Sequence, residues 1–153
     1  MAPAQASLLA KLDTQERVRD FLTNAVASGR ASHAYLFLGA PGAGKLDAAW
    51  ALAQAFLCEQ DGCGSCDSCV RVARHTHPDV HYYTPESATG YLIAQTRELL
   101  DDVPLAPIRA KAKVYIIDRA EQLRANTANA LLKTLEEPPE GVMFILLGTS
   151  ADV

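Results

Sequence analysis

One stretch of the sequence decides the fold, and it reads Gly39-Ala40-Pro41-Gly42-Ala43-Gly44-Lys45. Its spacing, G-x-x-x-x-G-K, follows a short apolar run at 34–38 and precedes an alanine-rich segment at 46–57 that contains no Gly or Pro. A strand, loop and helix in this order turn backbone N–H groups and a helix N-terminus towards a phosphate, and the lysine reaches the β- and γ-phosphates. A glycine-rich turn can also be a plain connection, but the complete spacing in this context favours a phosphate-binding loop.

The rest of the chain alternates short apolar runs with longer helical stretches, which is typical of an α/β protein with a parallel sheet. The predicted strands are 34–38, 80–83, 113–118 and 142–147, and the predicted helices are 15–27, 46–57, 91–103 and 125–137. We therefore predict one three-layer P-loop NTPase domain over 1–153, with an insertion at 58–69. Because the chain ends soon after the fourth strand, we expect the last strand and a lid domain to lie beyond Val153.

The composition restricts the classes of function. The net charge of −4 gives the whole chain no attraction for nucleic acid, so any DNA contact must be local or come from other segments. No apolar run approaches the roughly 18 residues that a membrane helix needs, and the N-terminus lacks the basic-then-apolar pattern of a secretory signal. We therefore expect a cytoplasmic protein with no membrane contact and with reduced thiols.

The residue after the phosphate-loop lysine departs from the motif. That position normally carries Ser or Thr, whose hydroxyl binds Mg²⁺, whereas this chain has Leu46. Asp47 lies one residue further along, and a carboxylate holding the metal through water would also repel a triphosphate. We therefore expect ATP or ADP to be bound without efficient hydrolysis, or not to be bound at all, and we expect no Mg²⁺.

A second acidic position follows the third predicted strand. Asp118 ends a run of β-branched and aromatic residues, where a P-loop aspartate steadies the magnesium, although an ordinary strand cap would look the same. Hydrolytic relatives of this fold place a water-activating glutamate next, but here the residue is Arg119, whose guanidinium stays protonated and cannot act as a base. Glu121 is displaced, so no catalytic residue is predicted. The candidate nucleotide-binding residues are Gly39, Gly42, Ala43, Gly44, Lys45, Leu46 and Asp118.

All four cysteines of the chain fall in one short segment. They are Cys58, Cys63, Cys66 and Cys69, spaced C-x4-C-x2-C-x2-C. Each C-x2-C step lets two thiolates turn to one tetrahedral ion, and a closed four-thiolate shell is a common form of structural zinc site. Disulfides are the weaker alternative in the cytosol, and so is an iron–sulfur cluster, because Cys69 is not followed by the x3-Cys-Pro ending. The prediction is a structural zinc module.

Nearby histidines and basic residues have simpler explanations. The histidines are His75, His77 and His81, and with four thiols available we expect them to face solvent or to pack. The basic residues are Arg109, Lys111 and Lys113. This cluster either faces DNA or belongs to a solvated loop, and the second interpretation is favoured.

Three segments carry a family resemblance. They are 32–37, the cysteine module directly after the P-loop helix, and 128–139, which reads ANALLKTLEEPP and is the most specific. Together they resemble the bacterial DNA polymerase III clamp-loader subunits, gamma/tau and delta-prime, over 15–149. The four-residue gap after Cys58 is shorter than is usual in that family.

The resemblance implies an AAA+ fold in a hetero-pentamer of clamp-loader subunits, which loads the sliding clamp onto primed DNA during replication. In that family gamma/tau has intact motor sites, whereas delta-prime has a degraded one. Lys45-Leu46 and Asp118-Arg119 make this chain similar to delta-prime, a non-hydrolysing subunit of the DNA-directed DNA polymerase holoenzyme. The alternatives are a gamma/tau-like ATPase that uses Asp47 and Glu121, and an unrelated zinc-bearing DNA-binding module.

Two further expectations come from the resemblance alone. The sensor position of the family maps to Thr149 or Ser150. The exposed residues Lys133, Glu136 and Glu137 are expected to touch a neighbouring subunit, while Leu131 and Leu135 on the same helix are core residues.

Overall fold

The computed structural model describes residues 7–12, 16–40 and 42–149. The strands are β1 (Ala34–Leu38), β2 (Val80–Tyr83), β3 (Lys113–Ile117) and β4 (Val142–Gly148). The helices are α1 (Glu16–Ala27), α2 (Lys45–Leu57), α3 (Asp67–Ala73), α4 (Ile93–Asp102) and α5 (Ala125–Glu136). Two short 3-10 turns, Leu9–Lys11 and Ala120–Gln122, complete the described elements. The four predicted strands and four predicted helices are present within one or two residues of the predicted bounds.

The four strands form one parallel sheet in the order β1-β4-β3-β2. In this register Tyr115 lies beside Phe144 and Ile116 beside Ile145. β3 is buried at every position, as expected for a strand covered on both faces, whose sequence reads as a continuous apolar run and not as an alternation. The α/β class predicted from the sequence is therefore confirmed.

Two apolar cores flank the sheet and give the molecule three layers. On one face α1, α2 and α3 pack on the sheet through residues such as Leu22, Leu52 and Val72. On the other face α4 and α5 pack through Leu99 and Leu131. The loops that follow β1, β3 and β4 consequently open at the same, carboxyl edge of the sheet, which is where ligands bind in open α/β folds.

The segment between α2 and β2 contains a helix that we did not predict. Helix α3 begins directly after Cys66, whose side chain accepts a hydrogen bond from the Cys69 N–H in the manner of an N-cap. Asp67 lies in its first turn and forms an i, i+4 ion pair with Arg71. The Gly, Ser and Asp content of this segment concealed a seven-residue helix that its cysteines initiate.

Two side-chain predictions are wrong. The sequence of the first helix predicts Val18, Phe21 and Leu22 on one side, but Phe21 is 65% exposed, because the buried stripe of α1 runs i, i+4, i+8 through Val18, Leu22 and Val26. Lys113 was grouped with exposed basic residues, but it is only 2% exposed. Its Nζ donates to the carbonyls of Asp102 and Val103 at the C-terminus of α4, where the helix dipole favours a cation.

No helix among the described residues is both long enough and apolar enough to cross a membrane.

Candidate nucleotide site and cysteine cluster

The phosphate loop has the backbone geometry that its glycines predict. Gly42 and Gly44 adopt φ of +83° and +90°, a region in which L side chains are strained. Gly44 is the N-cap residue of α2, and no side chain caps this helix end. Gly39 is required by close approach instead, since a Cβ there would lie 3.3 Å from the Ala43 Cβ. The loop therefore presents the bare N-terminus of α2 at the sheet edge, while Pro41 lies outside the described residues.

Lys45 is held by the protein itself. Its Nζ donates to the carbonyl of Gly39 at 2.6 Å and to the carbonyl of Gly148 at 3.0 Å. An ammonium group has three N–H donors, so two of them are engaged by backbone carbonyls. A phosphate would have to share or displace these bonds to recruit the lysine.

Asp118 is also engaged by its neighbours. Its Oδ2 accepts a hydrogen bond from the Tyr82 hydroxyl at 2.8 Å, and its Oδ1 accepts one from the backbone N–H of Arg119 at 2.9 Å. Burial and the Asp118 carboxylate raise the pKa of Tyr82. The buried hydroxyl of Tyr91 lies against the carbonyl oxygens of Tyr83 and Asp118. Asp118 is therefore held in place by aromatic hydroxyl groups.

Sequence reasoning missed these two tyrosines. Tyr82 lies on β2, the strand that pairs with β3, and so a signal was available in an aromatic residue near the end of a strand adjacent to the one that delivers Asp118. Tyr91 carried no such signal, because it lies just before α4 and reaches Asp118 only through the tertiary fold.

One open cleft of about 570 Å³ is lined both by the phosphate loop and by the segment that follows β3. Its lining includes Gly42, Gly44, Lys45, Leu46, Asp47, Asp118, Arg119, Glu121 and Thr149. The side chain of Leu46 packs against the core beneath α2, so this position offers neither a hydroxyl nor another polar group to an ion. Arg119 stands beside Asp118 in the left-handed region at φ of +48°.

The remaining predicted positions have varied placements. Ala43 lines a smaller pocket of about 240 Å³ on the β1 side, and Gly39 lies beneath the loop, close to Ala43 and the stem of Lys45. Of the two sensor candidates, Thr149 lines the main cleft, whereas Ser150 lies outside the described residues.

The four cysteines converge on one point. Their Sγ atoms all lie within 4.8 Å of one another, with Cys58 and Cys66 3.8 Å apart and Cys63 and Cys69 4.0 Å apart. A tetrahedral ion with Zn–S bonds of about 2.3 Å requires S···S separations of about 3.8 Å. The donor set and its dimensions therefore fit a four-thiolate metal site, and these residues could hold a metal ion.

Backbone N–H groups surround the sulfur atoms. Cys58 Sγ accepts from the N–H groups of Gln60 and Cys63, Cys63 Sγ from that of Cys66, and Cys66 Sγ from that of Cys69. The bonds to Cys63, from the N–H groups of Ser65 and Cys66, lower its pKa to about 6, whereas burial raises the pKa of Cys69. These backbone hydrogen bonds therefore favour the thiolate form at Cys63.

The cluster is joined rigidly to the helix that starts at the phosphate loop. Cys58 is the C-cap residue of α2, so the loop and the cluster occupy opposite ends of one 13-residue helix. Within that helix the buried Gln54 donates to the carbonyl of Cys69 at 2.9 Å and accepts from the N–H of Leu8 at 2.8 Å. Gln54 was not singled out from the sequence, although a lone amide in an alanine-rich segment was a visible signal.

The three histidines are packing residues. His75 stacks on Trp50 with ring centroids 3.8 Å apart, and His81 stacks on Tyr115 at 5.0 Å. His77 is buried, and its Nδ1 accepts a hydrogen bond from the backbone N–H of Asp79. Burial lowers the pKa of His77, which favours the neutral ring that this bond requires.

Comparison with known proteins identifies the family. The family model described as "DNA polymerase III, delta subunit" matches residues 14–153. The chain belongs to this family. Its membership confirms the resemblance to DNA polymerase III clamp-loader subunits that the cysteine module and the 128–139 segment carry.

The curated relatives of this family member include both delta' and tau subunits. Over 138 residues it is 41% identical to DNA polymerase III subunit delta' of Bacillus subtilis, a match that covers 88% of this chain and 42% of that protein. Over 139 residues it is 43% identical to DNA polymerase III subunit tau of Escherichia coli, with coverage of 88% and 21%. The chain thus spans less than half of these relatives, and overall identity does not separate the two branches.

Solved structures support the α/β fold of this family member. A gamma subunit-related protein of Thermotoga maritima superposes with a TM-score of 0.57 at 20% identity, covering 85% of this chain and 38% of that one. The PCH-2 protein of C. elegans superposes with a TM-score of 0.54 at 16% identity, covering 88% and 38%. At these identities the likeness concerns the fold alone.

Proposed function

We propose that this chain is the P-loop domain of a delta-prime-like subunit of the bacterial DNA polymerase III clamp loader, and that it does not hydrolyse ATP. The delta' and tau relatives are about equally identical to this chain. The choice of a delta-prime-like, non-hydrolysing subunit therefore rests on the chemistry of the site and not on sequence identity.

One observation carries the proposal. The cleft that contains Lys45 and Asp118 is also lined by Leu46 and Arg119, which occupy the sequence positions where the motif calls for metal-binding and water-activating groups. A leucine supplies no ligand to Mg²⁺, and an arginine accepts no proton from water. The bonds from Lys45 to Gly39 and Gly148 and from Tyr82 to Asp118 support the same interpretation, since they stabilise the site without a ligand.

In this proposal the domain is a structural subunit that binds other clamp-loader subunits. It assembles with other clamp-loader subunits in a hetero-pentamer in the cytoplasm, and reaches the sliding clamp and primed DNA through that assembly. Lys133, Glu136 and Glu137 are exposed on or directly after α5, which is consistent with the predicted contact to a neighbouring subunit. We propose a single P-loop domain over 1–153 that contains the cysteine module at 58–69.

We further propose that the cysteine module holds one structural zinc ion through Cys58, Cys63, Cys66 and Cys69. Bound zinc would supply folding free energy, because the thiolates converge only in the folded chain. The four sulfur atoms would leave no open coordination position, so the proposed role is structural and not catalytic.

The decisive test is ATP turnover by the complete clamp loader assembled with this subunit, with partner motor sites disabled by substitution of their phosphate-loop lysines. We expect no turnover above background and no further loss on Lys45→Ala. Turnover that disappears with Lys45→Ala would refute the proposal.

A motor subunit is the second candidate, and one observation favours it. Asp47 and Glu121 both line the cleft, so two carboxylates are present at displaced positions. If they performed the chemistry, Asp47→Asn or Glu121→Gln would abolish turnover in the same assembly. In that case the double variant Leu46→Thr/Arg119→Glu should add little to ATP turnover. Under the leading proposal the same double variant supplies the missing metal ligand and the missing base, so it is the change most able to restore turnover.

A further inference from the structure

A second cleft, of about 360 Å³, adjoins the cysteine cluster. Its lining contains Cys58, Cys63 and Cys66 together with the loop residues Arg109, Ala110 and Lys111. The Lys111 ammonium makes no hydrogen bond or ion pair with any described residue, and the Arg109 guanidinium pairs only with Asp67, at 3.2 Å. Two cationic residues from a distant part of the sequence thus line the same cleft as three of the four cysteines.

The loop that carries these cations is fixed by a buried carboxylate. Asp79 is fully buried, and its two oxygens accept hydrogen bonds from the backbone N–H groups of Ile108, Arg109 and Ala110 at 2.6, 2.7 and 2.7 Å. The backbone N–H of Asp79 in turn donates a hydrogen bond to Nδ1 of His77, a residue that lines the cleft. The backbone of the loop that carries Arg109 and leads into Lys111 is therefore anchored in the core at the border of this cleft.

An electrostatic argument explains why cations belong there. A divalent ion held by four thiolates leaves a net charge of about −2 on the shell. Asp67 and Glu59 line the same cleft and add negative charge. Partial burial raises the free energy of such an uncompensated charge, and nearby cations offset it.

The simpler explanation is that Arg109 is there to pair with Asp67. Both side chains of that pair are more than half exposed, at 51% and 63%, and exposed pairs contribute little to stability. This explanation also leaves Lys111 without a role.

We propose that Arg109 and Lys111 are counter-charges of the zinc–thiolate shell, held in position by Asp79. The inference rests on the zinc site proposed above. It assigns to these residues a function in metal affinity and not in DNA contact.

The test is zinc affinity of the chain, measured by competition with a chromophoric chelator. We expect Arg109→Gln and Lys111→Gln each to weaken zinc binding by roughly threefold, since both residues are largely exposed and their charges act partly through solvent. Arg109→Lys should retain most of the affinity. Arg97→Gln, an exposed arginine on α4 across the sheet, is the matched control and should not change it. The losses should shrink in about 1 M salt, where charges are screened within a few ångströms.

Asp67→Asn separates the two explanations by the sign of its effect. If Arg109 acts as a counter-charge, removing the Asp67 charge should tighten zinc binding by roughly threefold. If Arg109 serves only its pair with Asp67, Asp67→Asn and Arg109→Gln should weaken binding alike, and that result would overturn the inference. Unchanged affinity in both glutamine variants would also overturn it. Failure of the unaltered chain to bind zinc would instead refute the zinc site itself, and the inference with it.

Discussion

Lys45, the first residue of α2, donates a hydrogen bond from Nζ to the carbonyl of Gly148, the last residue of β4, although 103 residues separate them in the sequence. The same ammonium donates to the carbonyl of Gly39 at the start of the phosphate loop. A single side chain therefore ties the loop, the helix and the central sheet together. The lysine has a structural role that is independent of any phosphate.

The first prediction concerns stability. Lys45→Ala removes two charge-assisted hydrogen bonds, and we expect it to lower the free energy of unfolding by about 1–3 kcal/mol without any nucleotide present. Chemical denaturation monitored by circular dichroism measures this difference.

Lys45→Met is the matched control, because it keeps the apolar stem and removes only the ammonium. It should lose most of the same stability. A Lys45→Ala variant as stable as the original chain would show that the two carbonyl contacts contribute nothing.

Much of the fold follows from local pattern. The phosphate-loop glycines, the continuous apolar strands and the Pro138–Pro139 stop after α5 each have a local physical cause, and each predicted element is present. Helix α3 escaped prediction because its N-cap is a cysteine sulfur, and capping statistics favour Ser, Thr, Asp and Asn. Lys113 was misplaced because charge alone argues for exposure, whereas its partners are carbonyl groups brought near by tertiary packing.

The features of the candidate site also differ in whether the sequence alone could predict them. The chemistry of single positions, such as the missing hydroxyl at Leu46, was readable from the sequence. The partners of Asp118 and Lys45 were not, since Tyr91 and Gly148 reach them only after the sheet is assembled. The chemistry of a side chain can be read at its own sequence position, whereas its hydrogen-bond partners depend on the tertiary fold.

The second prediction concerns metal removal. Helix α3 has seven residues and begins at a cysteine, and short helices are marginal in water, so loss of a bound ion should loosen it despite the packing of Val72 and the hydrogen bond from Gln54. We expect chelation to raise amide hydrogen exchange in 58–73 by more than about tenfold while β3 remains protected. Mass spectrometry of the exchanged chain measures this.

Cys66→Ser provides the comparison for the second prediction. Serine can still cap α3 but is a poor fourth ligand, so exchange should rise even in added zinc. Equal protection with and without chelator would contradict a structural metal.

The third prediction concerns Gln54, whose amide satisfies the N–H of Leu8 and the carbonyl of Cys69. Gln54→Ala leaves both backbone groups without these partners and creates a cavity, so we expect a loss of about 2–4 kcal/mol in unfolding free energy. Gln60→Ala, at an exposed position beyond the same helix, should change stability by less than about 0.5 kcal/mol. Equal effects of the two substitutions would exclude the bridging role of Gln54.

The last prediction concerns the pH dependence that Asp79 introduces. Burial alone would raise the pKa of this carboxyl, but the N–H groups of Ala110, Ile108 and Arg109 outweigh burial and lower its pKa below the usual value. A carboxyl with a depressed pKa in the folded state stabilises the protein above the unfolded-state pKa of about 3.9, and this contribution disappears as the pH falls through the folded value.

We therefore expect Asp79→Asn to be less stable than the original chain by about 2–4 kcal/mol between about pH 5 and 8, with the difference narrowing below about pH 4. Urea denaturation across this range measures it. Asp101→Asn, which removes an exposed carboxylate, should stay within about 0.5 kcal/mol of the original chain. A difference for Asp79→Asn that is equally large at pH 3 and pH 7 would mean that the amide disrupts packing, and that the charge on Asp79 does not hold the 108–110 loop.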